Sequence, residues 1–142
     1  VIANQGYYIK PHVVRAIGHR DSLNTQFSEK IYSKIKPQHF ATVLQGMKMV
    51  VTAGTGRGAQ IPGIEVAGKT GTAQNPHGAD HSVFALIAPA NDPKIVLFCL
   101  VENAGFGATV ACPIASLLAE QYLTGEVKRT DLEKRMKEMS FR

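Results

Sequence analysis

Seven consecutive apolar residues, Ile95 to Val101, constrain the fold of this chain more than any other stretch. The run shows no polar alternation, so it is expected as a strand covered on both faces, by helices. Just ahead of it, Pro89-Ala90-Asn91-Asp92-Pro93 has turn chemistry. Ser82 to Ala88 before that turn is a second strand-like run, so the two are expected as an antiparallel hairpin. Ile64 to Ala73 reads as a third strand, and Ile31 to Ile35, with Ile31, Ser33 and Ile35 alternating, as a short separate one. Pro37 opens a helix in which Phe40, Val43, Leu44, Met47, Val50 and Val51 recur at three and four as one apolar face, with Gly54 as its stop. A second helix follows the Gly-rich stretch Asn103 to Ala108. Pro113 sits in its first turn, Ile114, Leu117, Leu118 and Tyr122 form its expected buried stripe, and Gly125 ends it. The fold class is therefore α+β, an antiparallel sheet flanked by helices.

The front of the chain, Val1-Ile-Ala-Asn-Gln-Gly6, reads as the end of a helix capped by Gly6. An element that starts at its own end predicts that the first part of the domain lies outside this sequence. Tyr7 to Lys10 and His12 to Ile17 read as extended, with Pro11 confining the first part to a sheet edge, and Gly18 to Thr25 as a polar turn region. At the other end, residues 125–142 form a charged helical tail with a capping box, Thr130 with Glu133, and i,i+4 pairs Asp131–Arg135 and Glu133–Lys137. Leu132, Met136 and Met139 are its apolar row, suited to docking on the domain or on a partner.

The 142 residues are one domain or a large piece of one, and 44% hydrophobic with 19% charged residues describes a globular chain. No apolar run approaches the roughly 20 residues of a membrane span, and no signal-peptide pattern is present. The net charge of +5 comes from Lys and Arg interleaved with acids, without the basic face and aromatic platforms of a nucleic-acid binder. Cys99 and Cys112 do not have the spacing of a zinc site or a redox pair. Cys99, inside an apolar strand, reads as a buried free thiol, and a disulfide between the two stays open.

Chemistry concentrates in Ala67-Gly68-Lys69-Thr70-Gly71-Thr72-Ala73-Gln74. On an extended strand, Lys69 and Gly71 lie on one side, Thr70 and Thr72 on the other. Lys69 supplies positive charge, the hydroxyls can donate to an anion, and Gly71 leaves room for a ligand against the backbone. Gly63 to Thr70 also fits the phosphate-loop pattern G-x-x-x-x-G-K-[ST], and Ile95 to Glu102 resembles a strand ending in a magnesium-binding acid. That pattern requires a strand before it and a helix opening at Lys-Thr. Ile64 to Val66 is strand-like instead, and the Gly71-to-Gly78 stretch cannot open a helix, so nucleotide binding is a distant alternative. His77 and His81, four apart beside Asp80, would share a metal only on a helix, which Pro76 and Gly78 oppose. No cofactor is expected, and His12, His19 and His39 carry no special signal.

Lys-Thr-Gly is one of three motifs of serine penicillin-binding proteins and β-lactamases. With its flanks, and with Ile2-Ala3-Asn4, Asp80-His81-Ser82-Val83-Phe84, Val101-Glu102-Asn103 and Ala111-Cys112-Pro113-Ile114, the stretch resembles a class B penicillin-binding protein transpeptidase domain. The resemblance covers residues 1–124 and looks more like penicillin-binding protein 2 than its division counterpart. It implies the C-terminal part of a serine β-lactamase/penicillin-binding-protein fold, without the N-terminal part. The other two motifs, Ser-x-x-Lys and Ser-x-Asn, occur as Ser33-Lys34-Ile35-Lys36 and Ser22-Leu23-Asn24. The first is strand-like and cut off by Pro37, the second precedes it in the wrong order, and neither is assigned a role.

The resemblance further implies a peptidoglycan D,D-transpeptidase in which a serine attacks the D-Ala-D-Ala carbonyl and an amine from a second strand resolves the acyl-enzyme. On this sequence the family's roles fall on Lys69 for positive potential, the Thr70 and Thr72 hydroxyls for the substrate carboxylate, Gly71 for a flat strand surface, and the Thr72 amide for the oxyanion hole. The nucleophile and its base are missing, so the chain alone is expected to be inactive. Implied partners are the stem peptide, β-lactam antibiotics, the remainder of the domain and, through the full-length protein, a membrane-embedded elongation glycosyltransferase. The implied location is the periplasmic face of the inner membrane, with an anchor outside this chain. The alternatives are a β-lactamase or carboxypeptidase, using water as acceptor, and a β-lactam sensor of the same fold.

Overall fold

A computed structural model describes residues 1–14 and 27–140. The expected turn over Gly18–Thr25, the extended reading of Arg15–Ile17, Ser22-Leu23-Asn24 and His19 lie outside the described residues. The chain divides into two compact units, Val1–Val43 and Leu44–Arg142.

In the first unit, Gly6 N–H donates to Val1 O and Gln5 N–H to Ile2 O, both at 3.0 Å. This paired pattern closes a helix C-terminus, and here it stands as an isolated turn. Gln5 takes the left-handed conformation (φ 52°), and Gly6 follows it at φ 127°. The cap expected at Gly6 is thus shared between two residues. A Cβ on Gly6 would come within 3.2 Å of the Phe40 ring, so glycine also makes room for that buried side chain. Strands β1 (Tyr7–Ile9) and β2 (Lys30–Tyr32) pair antiparallel, with Tyr8 opposite Ile31. β2 is shorter than the alternation suggested: Ser33 N–H still donates to Gly6 O at 2.7 Å, in register with the ladder, and Ile35 lies beyond the strand. Helix α1 (Pro37–Thr52) runs as expected, but its apolar face is not continuous. Phe40 and Val51 are buried, Leu44, Met47 and Val50 half-buried, and Val43 exposed.

The second unit is built on a three-stranded antiparallel sheet in the order β3-β4-β5, formed by Ala67–Ala73, His81–Ala88 and Ile95–Val101. The register places Gly71 opposite Val83 and Val83 opposite Leu100, which confirms the hairpin. β3 begins three residues later than expected, because Ile61 and Ile64 close a turn between them. Phe84, Leu86 and Ala88 are buried on one face of β4, where helix α2 (Ala111–Thr124) packs.

β5 departs from the expected two-sided burial. Ile95, Leu97, Cys99 and Val101 pack toward the core, whereas Val96, Phe98 (70% exposed) and Leu100 face outward. Every described helix that packs on β5 does so from one side, so a continuous apolar sequence becomes a one-sided strand. α2 buries only part of the stripe expected, with Leu117 buried and Ile114 half-buried. Ala111, Ala115 and Ala119, with Cys112, Ser116 and Leu117, are buried, while Leu118 and Tyr122 (64% exposed) point outward. Small side chains let the helix axis approach the sheet, and the size of a residue was a poor guide to its side. Gly125 caps the helix in the left-handed conformation (φ 81°), its N–H donating to Gln121 O at 3.0 Å.

Helix α3 (Thr130–Glu138) packs on α2 with Leu132, Met136 and Met139 half-buried. The capping box is not formed, since Arg129 takes the N-cap position and Thr130 is already helical. The Glu133–Lys137 pair closes at 2.7 Å. Arg129 turns inward instead of capping. Its Nε donates to Glu120 Oε2 (2.9 Å), Nη1 to Gln60 O (2.9 Å) and Ser116 Oγ (3.1 Å), and Nη2 to Ser116 O (2.9 Å). Glu120 is only 2% exposed, so this ion pair compensates a carboxylate that would otherwise be buried alone. Arg129→Ala should lower stability by about 3–5 kcal/mol, the usual cost of orphaning a buried charge. Urea denaturation of Arg129→Ala and of Glu120→Gln/Arg129→Met measures this, and the double variant should recover most of the loss.

Candidate functional site

Among the described residues β3 is an edge strand of its sheet, so its outer rim carries no neighbouring strand. The register sorts its side chains as the alternation predicted. Lys69 and Gly71 lie opposite Ala85 and Val83, and Thr70 and Thr72 opposite Phe84 and Ser82. A cleft of about 470 Å³ wraps the strand, lined by Thr55, Lys69, Thr70, Gly71, Thr72, Phe106, Gly107 and Ala108. All four residues singled out from the sequence therefore share one cleft.

Lys69 Nζ donates to the neighbouring Thr70 O at 2.7 Å, and no described carboxylate forms an ion pair with it. Its charge is left to act on whatever enters. Thr70 Oγ1 shares a 2.8 Å hydrogen bond with Thr55 Oγ1. Thr72 is exposed. A Cβ on Gly71 would meet Val83 Cβ at 3.4 Å, an ordinary contact, so that position has room for a methyl group.

The opposite face of β3 is closed by the loop between β5 and α2, which the sequence reading did not place in the site. Ser82 Oγ donates to Phe106 O and accepts from Ala111 N–H, both at 3.0 Å, pinning the loop to β4 and to the start of α2. Gly107 is buried, and a Cβ there would collide with the carbonyls of Val83 and Gly71. Only glycine lets the loop lie directly on the strand pair. Thr55, Phe106, Gly107 and Ala108 were given no site role from the sequence, because Gly-rich composition announces a loop without saying what it packs on.

The competing readings separate cleanly. Lys69 and Thr70 stand mid-strand, with no helix opening from them. Ser33 directly follows β2, ahead of a bend at Lys34–Ile35, with its Oγ accepting from Ile35 N–H at 3.4 Å. His77 lies in the β3–β4 turn, and His81 Nδ1 accepts from Asn103 N–H at 3.0 Å. Cys99 and Cys112 are free thiols, the first half-buried and the second buried. Cys112 Sγ donates to Gly56 O at 3.6 Å. Burial pushes the Cys112 thiol up to about 12, with the Arg129 guanidinium partly opposing the shift.

The penicillin binding protein transpeptidase domain model matches residues 1–120. The chain belongs to that family. It is 32% identical over 138 residues to the peptidoglycan D,D-transpeptidase PbpA of Mycobacterium tuberculosis, covering 88% of this chain and 28% of that protein. The crystal structure of Pseudomonas aeruginosa PBP2 in complex with WCK 5153 superposes with a TM-score of 0.73 at 31% identity, over 91% of this chain and 29% of that one. An imipenem acyl-enzyme complex of penicillin-binding protein A from M. tuberculosis gives 0.69 at 31% identity, over 87% and 28%. The expected class B family and its serine penicillin-recognising fold are borne out, and a penicillin-binding protein 2 is among the likenesses. The chain spans about a quarter of the length of the curated relatives it matches.

Gly107→Ala should lower the melting temperature by several degrees, while Gly71→Ala leaves it within about two degrees; thermal unfolding monitored by circular dichroism distinguishes them. For Cys112, the folded thiol sits above its ordinary value of 9.0, so its contribution to stability is intact below that pH. It is lost as pH rises from there toward about 12, and alkylation at pH 8 should require prior unfolding.

Proposed function

We propose that this chain is the C-terminal part of a peptidoglycan D,D-transpeptidase domain and supplies its substrate-binding strand. In this reading β3 is the rim along which an extended stem peptide adds as a further strand. Lys69 holds positive potential near the substrate carboxylate, and the hydroxyls of Thr70 and Thr72 bind that carboxylate. The Thr72 amide donates to the developing oxyanion, which it stabilises more than the ground-state carbonyl. Gly71 keeps the strand surface clear. The observation that carries the reading is the gathering of Lys69 to Thr72 in one cleft on an edge strand, with the lysine unpaired among the described residues.

The serine nucleophile and its lysine belong, on this proposal, to the remainder of the domain. Val96, Phe98 and Leu100 form an apolar strip suited to packing against that remainder. Residues 1–124 belong to the transpeptidase domain, and 125–142 are an appended helical tail. The substrate class is the D-Ala-D-Ala stem peptide, and β-lactams bind as its mimics. The full-length protein works at the periplasmic face of the inner membrane, anchored outside this chain, beside an elongation glycosyltransferase. Among the described residues, no helix is long and apolar enough to cross a membrane.

Labelled penicillin tests the proposal. The full-length protein should form a covalent adduct, and the isolated 142 residues none. Lys69→Ala in the full-length protein should slow acylation on the order of 10²-fold, the loss typical of one electrostatic contact to the transition state. A serine-linked adduct on residues 1–142, or a full-length Lys69→Ala protein acylated at the wild-type rate, overturns it.

A further inference from the structure

The turn between β3 and β4 and the loop between β5 and α2 are tied together by side chains that the substrate strand itself does not use. Asn75 sits at the centre. Its Oδ1 accepts from His77 N–H (3.0 Å), so its Nδ2 faces the other way, donating to Asn103 Oδ1 (2.7 Å) and Ala79 O (3.3 Å). Its own N–H donates to Asp80 Oδ1 at 3.1 Å. Across the gap, Asn103 occupies the left-handed region (φ 55°), which asparagine tolerates better than most residues. Asn103 N–H donates to His81 Nδ1 (3.0 Å), and Gly105 N–H to Asp80 O (2.7 Å). The same loop then reaches Ser82 through Phe106 O and lies on Gly71 at Gly107.

From these contacts we infer that Asn75 and Asn103 are positioning residues for the cleft, an inference that rests on β3 being the substrate strand. Neither side chain lines the cleft. Their amide–amide bond fixes the height of the 103–108 loop over Gly71 and Thr72, the two residues beside the proposed oxyanion amide. The backbone contacts at Gly105 and Gly107 hold the loop against the sheet. Beside the Gly105–Asp80 backbone bond, the Asn75–Asn103 bond is the side-chain-to-side-chain tie between the loop and the turn after β3 among the described residues, and it sets where along the strand the loop sits. Position 103 needs both a side-chain acceptor and tolerance of the left-handed backbone. Aspartate there keeps an acceptor oxygen and tolerates the same φ, whereas glycine keeps the backbone and discards the acceptor. A displaced wall leaves ligand entry intact and misaligns the reacting carbonyl, so the effect falls on the acylation step.

The test uses the full-length protein, measuring penicillin acylation over a range of concentrations to separate the noncovalent dissociation constant from the acylation rate constant. Asn103→Gly and Asn75→Ala should lower the rate constant about tenfold with the dissociation constant and melting temperature near wild type. Asn103→Asp should return it to within about twofold of wild type, as expected of an acceptor role. Amide exchange of Gly105, whose N–H is bonded to Asp80 O, should quicken in Asn103→Gly. Wild-type acylation and unchanged exchange in Asn103→Gly overturn the inference, as does an Asn103→Asp variant no better than the glycine. If the wild-type protein itself is not acylated, the functional reading fails, and amide exchange still decides whether the asparagine pair positions the loop.

Discussion

The close approach of Gly107 to the backbone of Gly71 and Val83 is the contact on which the rest of the second unit depends. It lets the segment leaving β5 cross directly over the β3–β4 pair before α2 begins. Ser82, buried between Phe106 O and Ala111 N–H, pins that crossing from below. Because the crossing is tight, α2 arrives close to the sheet, and only a small-residue face, Ala111, Ala115 and Ala119, fits beneath it. The same contact makes one wall of the cleft. Architecture and site therefore share a single steric condition, the absence of a side chain at position 107.

Charge is treated in opposite ways at the two ends of this unit. Arg129 is consumed by Glu120, Gln60 and Ser116, joining α2 and the start of α3 to the segment before β3. Its bonds satisfy groups that the core cannot leave unpaired. Lys69 is spent on a single carbonyl of its own strand and faces an open cleft. The structural cation is surrounded by acceptors, and the one proposed to meet substrate is left short of them, which is the electrostatic basis for proposing different work for the two.

Much of this was legible without coordinates. Turn chemistry in Pro89–Pro93 marked the hairpin, Pro37 and Gly125 marked helix ends, and Lys69 to Thr72 marked the cleft, because each signal is local and acts through backbone preference or side-chain alternation. The failures share a cause too. The two-sided burial expected of β5, the Leu118 and Tyr122 part of the expected stripe on α2 and the continuous face of α1 were inferred from hydrophobicity, which says that a residue prefers cover but not whether cover exists. The Thr130 capping box gave way because Arg129 found stronger partners nearly seventy positions earlier in the chain, at Gln60, and in α2.

Sequence alone determined the strand, its alternation and the chemistry carried on its two sides, since these follow from neighbours along the chain. Tertiary structure decided which loop closes the cleft, that Thr55 bonds Thr70, and that Asn75 meets Asn103 across 28 positions. Those choices depend on how closely distant backbones can approach, and no local pattern encodes that distance.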